Sequence, residues 1–265
     1  MNELVRNKLL ALMILLPVTL SAMGFPERET VEFRGIHEIE ISAAIFDVEV
    51  RAGSSSETTI EVLDIPSGFT VESREKQGSA QLYVQGRPPV FGDIPGAPRI
   101  IVDVPATVAL RVDASTGDIR VNGMRGFIDL SSRVGEISLS QSSGTIKLQT
   151  DSGGQEIRQC TGIISSLSSS GGITLEEFHG VSFIEARSGS IVAQDMRITG
   201  NVSFTASTGN IDVSFRNAPA DLRFDLHSSS GSISMMNEDY YRLSSGPAAR
   251  FVVYGESVSG NQTYR

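Results

Sequence analysis

The chain has 265 residues, of which 40% are hydrophobic, and it carries a formal net charge of −9 with a pI near 4.9. The apolar content is too high for a disordered chain, and the acidic balance without any basic run argues against a nucleic-acid or anionic-membrane partner, because phosphate binding needs clustered Lys and Arg. Aromatic residues make up only 6%, Trp is absent and Gly occurs 26 times, a composition typical of thin, repetitive β-structure.

The N-terminus has the features of an export signal. Arg6 and Lys8 provide a positive start, residues 9–20 (LLALMILLPVTL) form a short apolar core, and small residues follow before Phe25. We therefore predict that residues 1–24 are a signal peptide.

The alternative is a retained membrane anchor. The apolar core is shorter than the roughly 20 residues of a spanning helix and is interrupted by Pro17, so cleavage is the favoured interpretation. No Cys follows the core, which argues against a lipoprotein. We expect no membrane span after signal cleavage.

Residues 25–104 alternate apolar and polar residues as strands do, but without a fixed repeat. Examples are HEIEIS at 37–42 and FDVEVRAG at 46–53. Residues 87–98 are rich in Pro and Gly, so we predict a loop that forms no regular ladder. We interpret residues 25–104 as the irregular first part of a single domain.

Residues 105–236 contain a regular repeat in which a glycine returns every nine residues. Each unit reads Gly-x-apolar-x-apolar, as in GDIRVNGMR and GTIKLQTDS, which predicts a strand of about five residues followed by a turn. The series is Gly117, Gly126, Gly135, Gly144, Gly153, Gly162, Gly171, Gly180 and Gly189.

Alternate glycines belong to two classes, so the true repeat is 18 residues. One class mostly follows a small polar residue and precedes a polar residue and Ile; it comprises Gly117, Gly135, Gly153, Gly171, Gly189, Gly209 and Gly231. The later spacings lengthen by two and four residues. A Gly after Ser or Thr is typical of a tight turn with positive φ, which we expect in this class.

The 18-residue repeat predicts an all-β fold, a single-stranded parallel β-solenoid with two strands per coil and coils about 4.8 Å apart. We expect one interior ladder formed by Ile119, Ile137, Ile173, Ile191, Ile211 and Ile233. A β-meander sandwich would also give short strand spacings, but it provides no reason why the glycines of every second turn should belong to the same class.

The pattern changes after residue 236, where aromatic residues concentrate. Tyr240, Tyr241, Phe251 and Tyr254 fall in this segment. We predict that residues 237–265 form a cap that closes the last open edge of the sheets. The domain organisation is then a signal peptide followed by one β-solenoid domain at 25–265.

The order of these segments resembles a known family. EFRGIHEIEIS, FDVEVRAG and VDVP (102–105), leading to VDASTGDIRV (112–121) and then serial SG-x-I turns, is similar to the bacterial "putative adhesin" family related to the head GIN domain family. The resemblance covers nearly the whole mature chain. It implies an exported, non-enzymatic, β-helix-like protein of unknown function, and it supplies no site residues.

Calcium binding and glycan cleavage are two chemistries found in repeat proteins of this kind. Calcium β-rolls of the RTX type need Asp in their turns, whereas Gly153-Gly154 is followed by Gln155 and Glu156, so we expect no metal site. Polysaccharide lyases and hydrolases need paired carboxylates on one face. Candidates by residue type alone are Asp195, Asp212, Asp221 and Asp225, which we expect to be solvated surface residues.

The remaining reactive residues form no recognisable constellation. His37, His179 and His227 lie far apart without metal-ligand spacing, and we expect surface or turn positions. Cys160 cannot form an internal disulfide, because the chain has a single Cys; we expect a small, partly buried residue rather than an exposed thiol. We assign no catalytic, cofactor-binding or metal-binding residue.

The outward-facing positions of the repeat also bear on function. Arg120, Asp129, Ser138 and Lys147 are too mixed for an ice-binding face and indicate an ordinary soluble surface. The sequence therefore favours an exported, non-catalytic module of the periplasm, cell surface or medium with a protein or glycan partner at the cell envelope. The alternative is a carbohydrate-active β-helix enzyme whose carboxylates meet only after coiling.

Overall fold

The computed structural model describes residues 28–86, 96–235, 238–240, 242–244 and 249–265. The predicted signal peptide and most of the predicted Pro-rich loop lie outside these residues. A short 3-10 helix spans Pro219–Asp221. The strands are β1 (Glu29–Arg34), β2 (Glu38–Ser42), β3 (Asp47–Gly53), β4 (Glu57–Leu63), β5 (Phe69–Lys76), β6 (Ser79–Gly86), β7 (Arg99–Pro105), β8 (Ala109–Ala114), β9 (Ile119–Asn122), β10 (Arg125–Ser132), β11 (Ile137–Ser140), β12 (Ser143–Thr150), β13 (Gln155–Arg158), β14 (Thr161–Ser168), β15 (Ile173–Glu176), β16 (His179–Ala186), β17 (Ile191–Ile198), β18 (Val202–Thr208), β19 (Ile211–Phe215), β20 (Leu222–Ser230), β21 (Ile233–Met235), β22 (Glu238–Tyr240), β23 (Arg242–Ser244), β24 (Phe251–Ser259) and β25 (Gln262–Tyr264).

The strands form two long stacks, and the predicted all-β class is confirmed. Stack A has the spatial order β1, β4, β7, β3, β9, β11, β13, β15, β17, β19, β25, β21, β22. Stack B has the order β5, β6, β2, β8, β10, β12, β14, β16, β18, β24, β20, β23.

The 18-residue repeat is visible in the register of the central strands. In stack B, Ile128 pairs in parallel with Ile146 and Ile146 with Ile164. Each central coil contains an eight-residue strand in stack B and a four-residue strand in stack A, instead of two equal strands of about five residues. Alternate side chains of both stacks point to a shared interior, because successive residues of a strand face opposite sides.

The predicted ladder of isoleucines lies in stack A, but it is neither purely isoleucine nor in chain order. All six isoleucines are fully buried. Gln155 stands between Ile137 and Ile173, and Gln262 stands between Ile211 and Ile233.

The C-terminal segment corrects the prediction of a simple cap. β24 lies between β18 and β20, and β25 lies between β19 and β21, so residues 251–264 form an inner coil. The outer edge is formed instead by β22 and β23, which pair antiparallel with β21 and β20. The sequence reason is that SVSGNQ at 257–262 repeats the turn class of the regular units, and its side chains fit an interior coil.

At the N-terminal end, too, the spatial order of the coils differs from their order along the chain. β2 and β3 lie between the coil formed by β6 and β7 and the coil formed by β8 and β9. The outermost strands β1, β4 and β5 are paired antiparallel, an arrangement absent from the sequence prediction. β5 exposes a row of charged side chains, which hinders pairing of this edge with another sheet.

The glycines of the Gly117 class are required by close backbone contact and not by positive φ, which corrects the expectation. Within this class a positive φ occurs only at Gly209. A Cβ on Gly153 would overlap the carbonyl oxygen of Gly135 in the preceding coil, and the same holds for Gly171 over Gly153. The column continues through Gly260, which lies over Gly209 and beneath Gly231.

Among the described residues, no helix is long and apolar enough to cross a membrane.

Candidate functional site

The four candidate carboxylates lie on β17, β19, the 3-10 helix and β20, and two of them are ion-paired. An oxygen of Asp195 lies 3.3 Å from a guanidinium nitrogen of Arg216, and an oxygen of Asp212 lies 3.2 Å from Arg265. Asp212 is on β19 of stack A, whereas Asp225 is on β20 of stack B. Asp221 ends the 3-10 helix and is exposed. Asp195 and Asp212 are therefore each engaged by an arginine, and Asp225 lies in the other stack from Asp212.

The histidines lie at the surface, as expected, and the cysteine is buried more deeply than expected. His37, His179 and His227 are exposed. Cys160 is fully buried, and burial raises the pKa of its thiol to about 11, so it remains protonated at neutral pH. Within the part of the chain that the structure describes, no three His, Cys, Asp or Glu side chains cluster as metal ligands.

One corner of the coil carries a polar column that the sequence analysis did not detect. The residue after each of the short strands β11, β13 and β15 adopts a left-handed conformation, at Gln141, Gln159 and Glu177, and so does Asp195 at the equivalent position within β17. Gln159 donates a hydrogen bond to the Glu177 carboxylate at 3.2 Å. Arg216 closes the column; the hydrogen bond that its guanidinium donates to the Asp195 carboxylate raises the pKa of Arg216. The 18-residue spacing of these residues was a signal that could have located the column.

The outer face of stack B carries exposed apolar side chains. The sequence analysis did not detect them, because it inferred an ordinary soluble surface from the outward positions of the first repeats alone. Ile163, Phe183 and Tyr254 retain 50%, 49% and 41% of their accessible surface. Val181 is half-buried beside Ile163, its partner in the register of β14 and β16. Exposed apolar groups that cluster on one face are typical of an interaction surface.

The central column of this face is defined by the register of six adjacent strands. From β12 to β20 it contains, in spatial order, Lys147, Ser165, Phe183, Ser203, Tyr254 and Asp225. Neighbouring strands lie about 4.8 Å apart, so the column is about 24 Å long. Its centre is uncharged and its two terminal residues, Lys147 and Asp225, carry opposite charges; beyond Lys147 the same register continues to Asp129 and Arg111. We call the outer surface of β12, β14, β16, β18, β24 and β20 the stack B face.

These features define an all-β, solenoid-like repeat protein with an apolar patch on the outer surface of one stack. The chain belongs to the Toastrack DUF4097 family, whose sequence profile matches residues 36–246. The predicted resemblance to an adhesin-type family of unknown function is thereby confirmed. The coil at 251–264 follows the matched residues.

Solved structures from several bacteria are similar to this chain. A protein from Bacteroides fragilis named a putative adhesin has 10% identity and a TM-score of 0.53, over 90% of this chain and 97% of that one. One from Parabacteroides distasonis with the same name has 12% identity and a TM-score of 0.45, over 91% and 97%. A putative lipid binding protein from the same species has 14% identity and a TM-score of 0.44, over 90% and 96%. At such identities the likeness concerns the fold alone.

No curated protein sequence matches the chain.

Proposed function

We propose that this chain is an exported, non-catalytic module of the cell envelope that binds a protein or glycan partner through the stack B face. In this proposal the chain winds as a single-stranded parallel β-solenoid, which displays the six strands of the face as one continuous surface. The observation that carries the proposal is the exposure of Ile163, Phe183 and Tyr254 on one outer face, because aromatic and aliphatic groups are enriched at the centres of interfaces.

Export to the periplasm, cell surface or medium is supported by the N-terminal sequence and by the adhesin names of structural relatives. N-terminal sequencing of the exported protein tests it. The expected first residue is Phe25, and an intact Met1 recovered from the cytoplasm would refute export.

The absence of catalysis is supported by the surroundings of the carboxylates. Glycoside hydrolysis needs two carboxyl groups within roughly 5 to 10 Å of each other, one of them free to exchange a proton. Asp195 and Asp212 are instead paired with Arg216 and Arg265. Incubating the protein with a polysaccharide panel tests this point. Release of reducing sugar by the wild type, lost on Asp212→Asn, would establish the enzyme alternative.

Photo-crosslinking tests whether the face makes contact with a partner. A photoreactive phenylalanine analogue replaces Phe183 in one variant and Val134 in a control; Val134 is 51% exposed but lies at a corner of the coil. Irradiation of intact cells should give a covalent adduct from position 183 and none from position 134. Equal adducts from both positions, or none from either, would reject the stack B face as the binding surface.

A further inference from the structure

The central column of the stack B face is complementary to the same column of a second copy that runs in the opposite direction. Along the stack it has the order positive, small, aromatic, small, aromatic, negative: Lys147, Ser165, Phe183, Ser203, Tyr254 and Asp225. Read from the opposite end, every aromatic ring coincides with a serine and the positive end coincides with the negative end. A surface with this property fits a second copy of itself.

A two-fold axis parallel to the strands, passing between β16 and β18, brings two such faces together. It places Phe183 of one copy against Ser203 of the other, and Tyr254 against Ser165. We infer that the partner of the stack B face is a second copy of this chain, packed face to face in a symmetric dimer. This inference rests on the proposed function, because it assigns the occupant of the same surface.

The ends of the column provide the charge complementarity. The same axis sets Lys147 of one copy against Asp225 of the other. Within one chain these residues are five strands apart, about 24 Å, so they cannot form an ion pair with each other. The Lys147 ammonium is exposed and lies 3.7 Å from Asp129. For Asp225, no ion pair is found among the residues that the structure covers.

The neighbouring columns are compatible with the same arrangement. Ile163 lies two residues before Ser165, and Val252 lies two residues before Tyr254, so the axis sets these two apolar side chains against each other. Glu185, two residues after Phe183, faces Thr205 of the other copy. The axis also sets Leu167 against Glu256, and none of these pairs places two like charges in opposition.

Sedimentation velocity of the mature chain tests the inference between about 1 and 100 µM, a range chosen because six strands make a small interface. The wild type should shift from monomer to dimer over this range. Lys147→Glu or Asp225→Lys alone should weaken association by about tenfold or more. Combining them should restore it, because the opposite charges meet again between copies.

Steric variants provide an independent check. Ser203→Phe sets two phenylalanines against each other at the centre and should abolish the dimer, whereas Ser138→Phe on the outer side of stack A should not change it. Thermal unfolding confirms that each variant is folded. A wild type that remains monomeric to about 100 µM, or a double charge variant no better than the single ones, would overturn the inference.

Different results would reject the stack B face as a binding surface and the second copy as its occupant. A crosslinked adduct at position 183 with a different macromolecule, together with a monomeric protein in sedimentation, would keep the binding face and reject the second copy as its occupant. Absence of any adduct at position 183 would reject both.

Discussion

Gln155 and Gln262 occupy equivalent positions in the interior ladder of stack A and form equivalent hydrogen bonds. The amide nitrogen of each donates to a hydroxyl five residues earlier, Thr150 at 3.0 Å and Ser257 at 2.9 Å. Each also donates to a backbone carbonyl of stack B, and each amide oxygen accepts a bond from a further hydroxyl. The two glutamines of the ladder are thus held by the same hydrogen-bond pattern, Gln155 in the regular repeat and Gln262 in the coil at 251–264.

Replacing Gln155 by Ile should destabilise the protein, although Ile occupies the adjacent coils. Ser166 would lose its acceptor and the Leu167 carbonyl its donor, a cost of about 2 kcal/mol in the free energy of unfolding. Chemical denaturation measures this. The double variant Gln155→Ile/Ser166→Ile should recover only part of the loss, because it removes the Ser166 hydroxyl but leaves the buried Thr150 hydroxyl and the Leu167 carbonyl without their donor. A single variant as stable as the wild type would show that the network contributes little.

Gly153→Ala should separate two coils, whereas Gly154→Ala should be tolerated. A Cβ at 153 would overlap the carbonyl oxygen of Gly135, while a Cβ at 154 meets its nearest neighbour at an ordinary 3.7 Å. We expect a loss above about 3 kcal/mol for the first and under about 1 kcal/mol for the second, measured by thermal unfolding. Similar melting temperatures for both variants would contradict the explanation by backbone contact.

Tyr264 and Tyr254 form a matched pair that tests the insertion of the C-terminal coil. Tyr264 is fully buried, with its ring centroid 5.7 Å from that of Phe224, and Tyr254 is exposed. Tyr264→Ala should cost about 3 to 5 kcal/mol, and Tyr254→Ala under about 0.5 kcal/mol when unfolding of the monomer is followed at low concentration. If residues 251–264 were only a peripheral cap, both variants would have small effects.

Ser182→Ala should stabilise the protein. The Ser182 hydroxyl is fully buried next to Ile164 and has no hydrogen-bond partner within the described part of the chain, so its removal relieves a desolvation cost of about 1 kcal/mol. Ser166→Ala is the control, because the hydroxyl of Ser166 donates to Gln155 and its loss should destabilise. Denaturant midpoints of opposite sign for the two variants are the expected result; equal signs would refute the distinction.

Stability should decrease at alkaline pH because of Cys160. Burial raises the pKa of its thiol from 9.0 to about 11, so the folded state binds the proton more tightly than the unfolded state. This contribution is complete below pH 9 and is lost as the pH rises toward 11, at up to about 1.4 kcal/mol per pH unit. Burial raises the pKa of Tyr264 as well, which adds a further decline above its ordinary value of 10.0.

Unfolding measured from pH 8 to 11 tests this contribution. Cys160→Ala should show a flatter pH dependence between 9 and 10 than the wild type, while the decline above pH 10 remains. Identical profiles would mean that thiol ionisation does not limit alkaline stability.

The amino-acid sequence by itself determined the repeating parts of this protein. Alternation around Ile119 and Ile137, and a glycine every nine residues, are local and periodic properties, so strand positions and the 18-residue register of the central coils follow from them. The same alternation predicts that the side chain of Asp212 points outward from its strand.

Only the tertiary structure decided the order of the coils at the two ends and the composition of the stack B face. Gly260 and Gln262 match the repeat in sequence, but many strands share that pattern, and only the pairing free energy of the assembled sheets places their coil between Gly209 and Gly231. Phe183 and Tyr254 are far apart in sequence, and they come to lie two strands apart only after coiling. Local patterns specify which residues face outward, whereas long-range strand pairing specifies which outward residues meet.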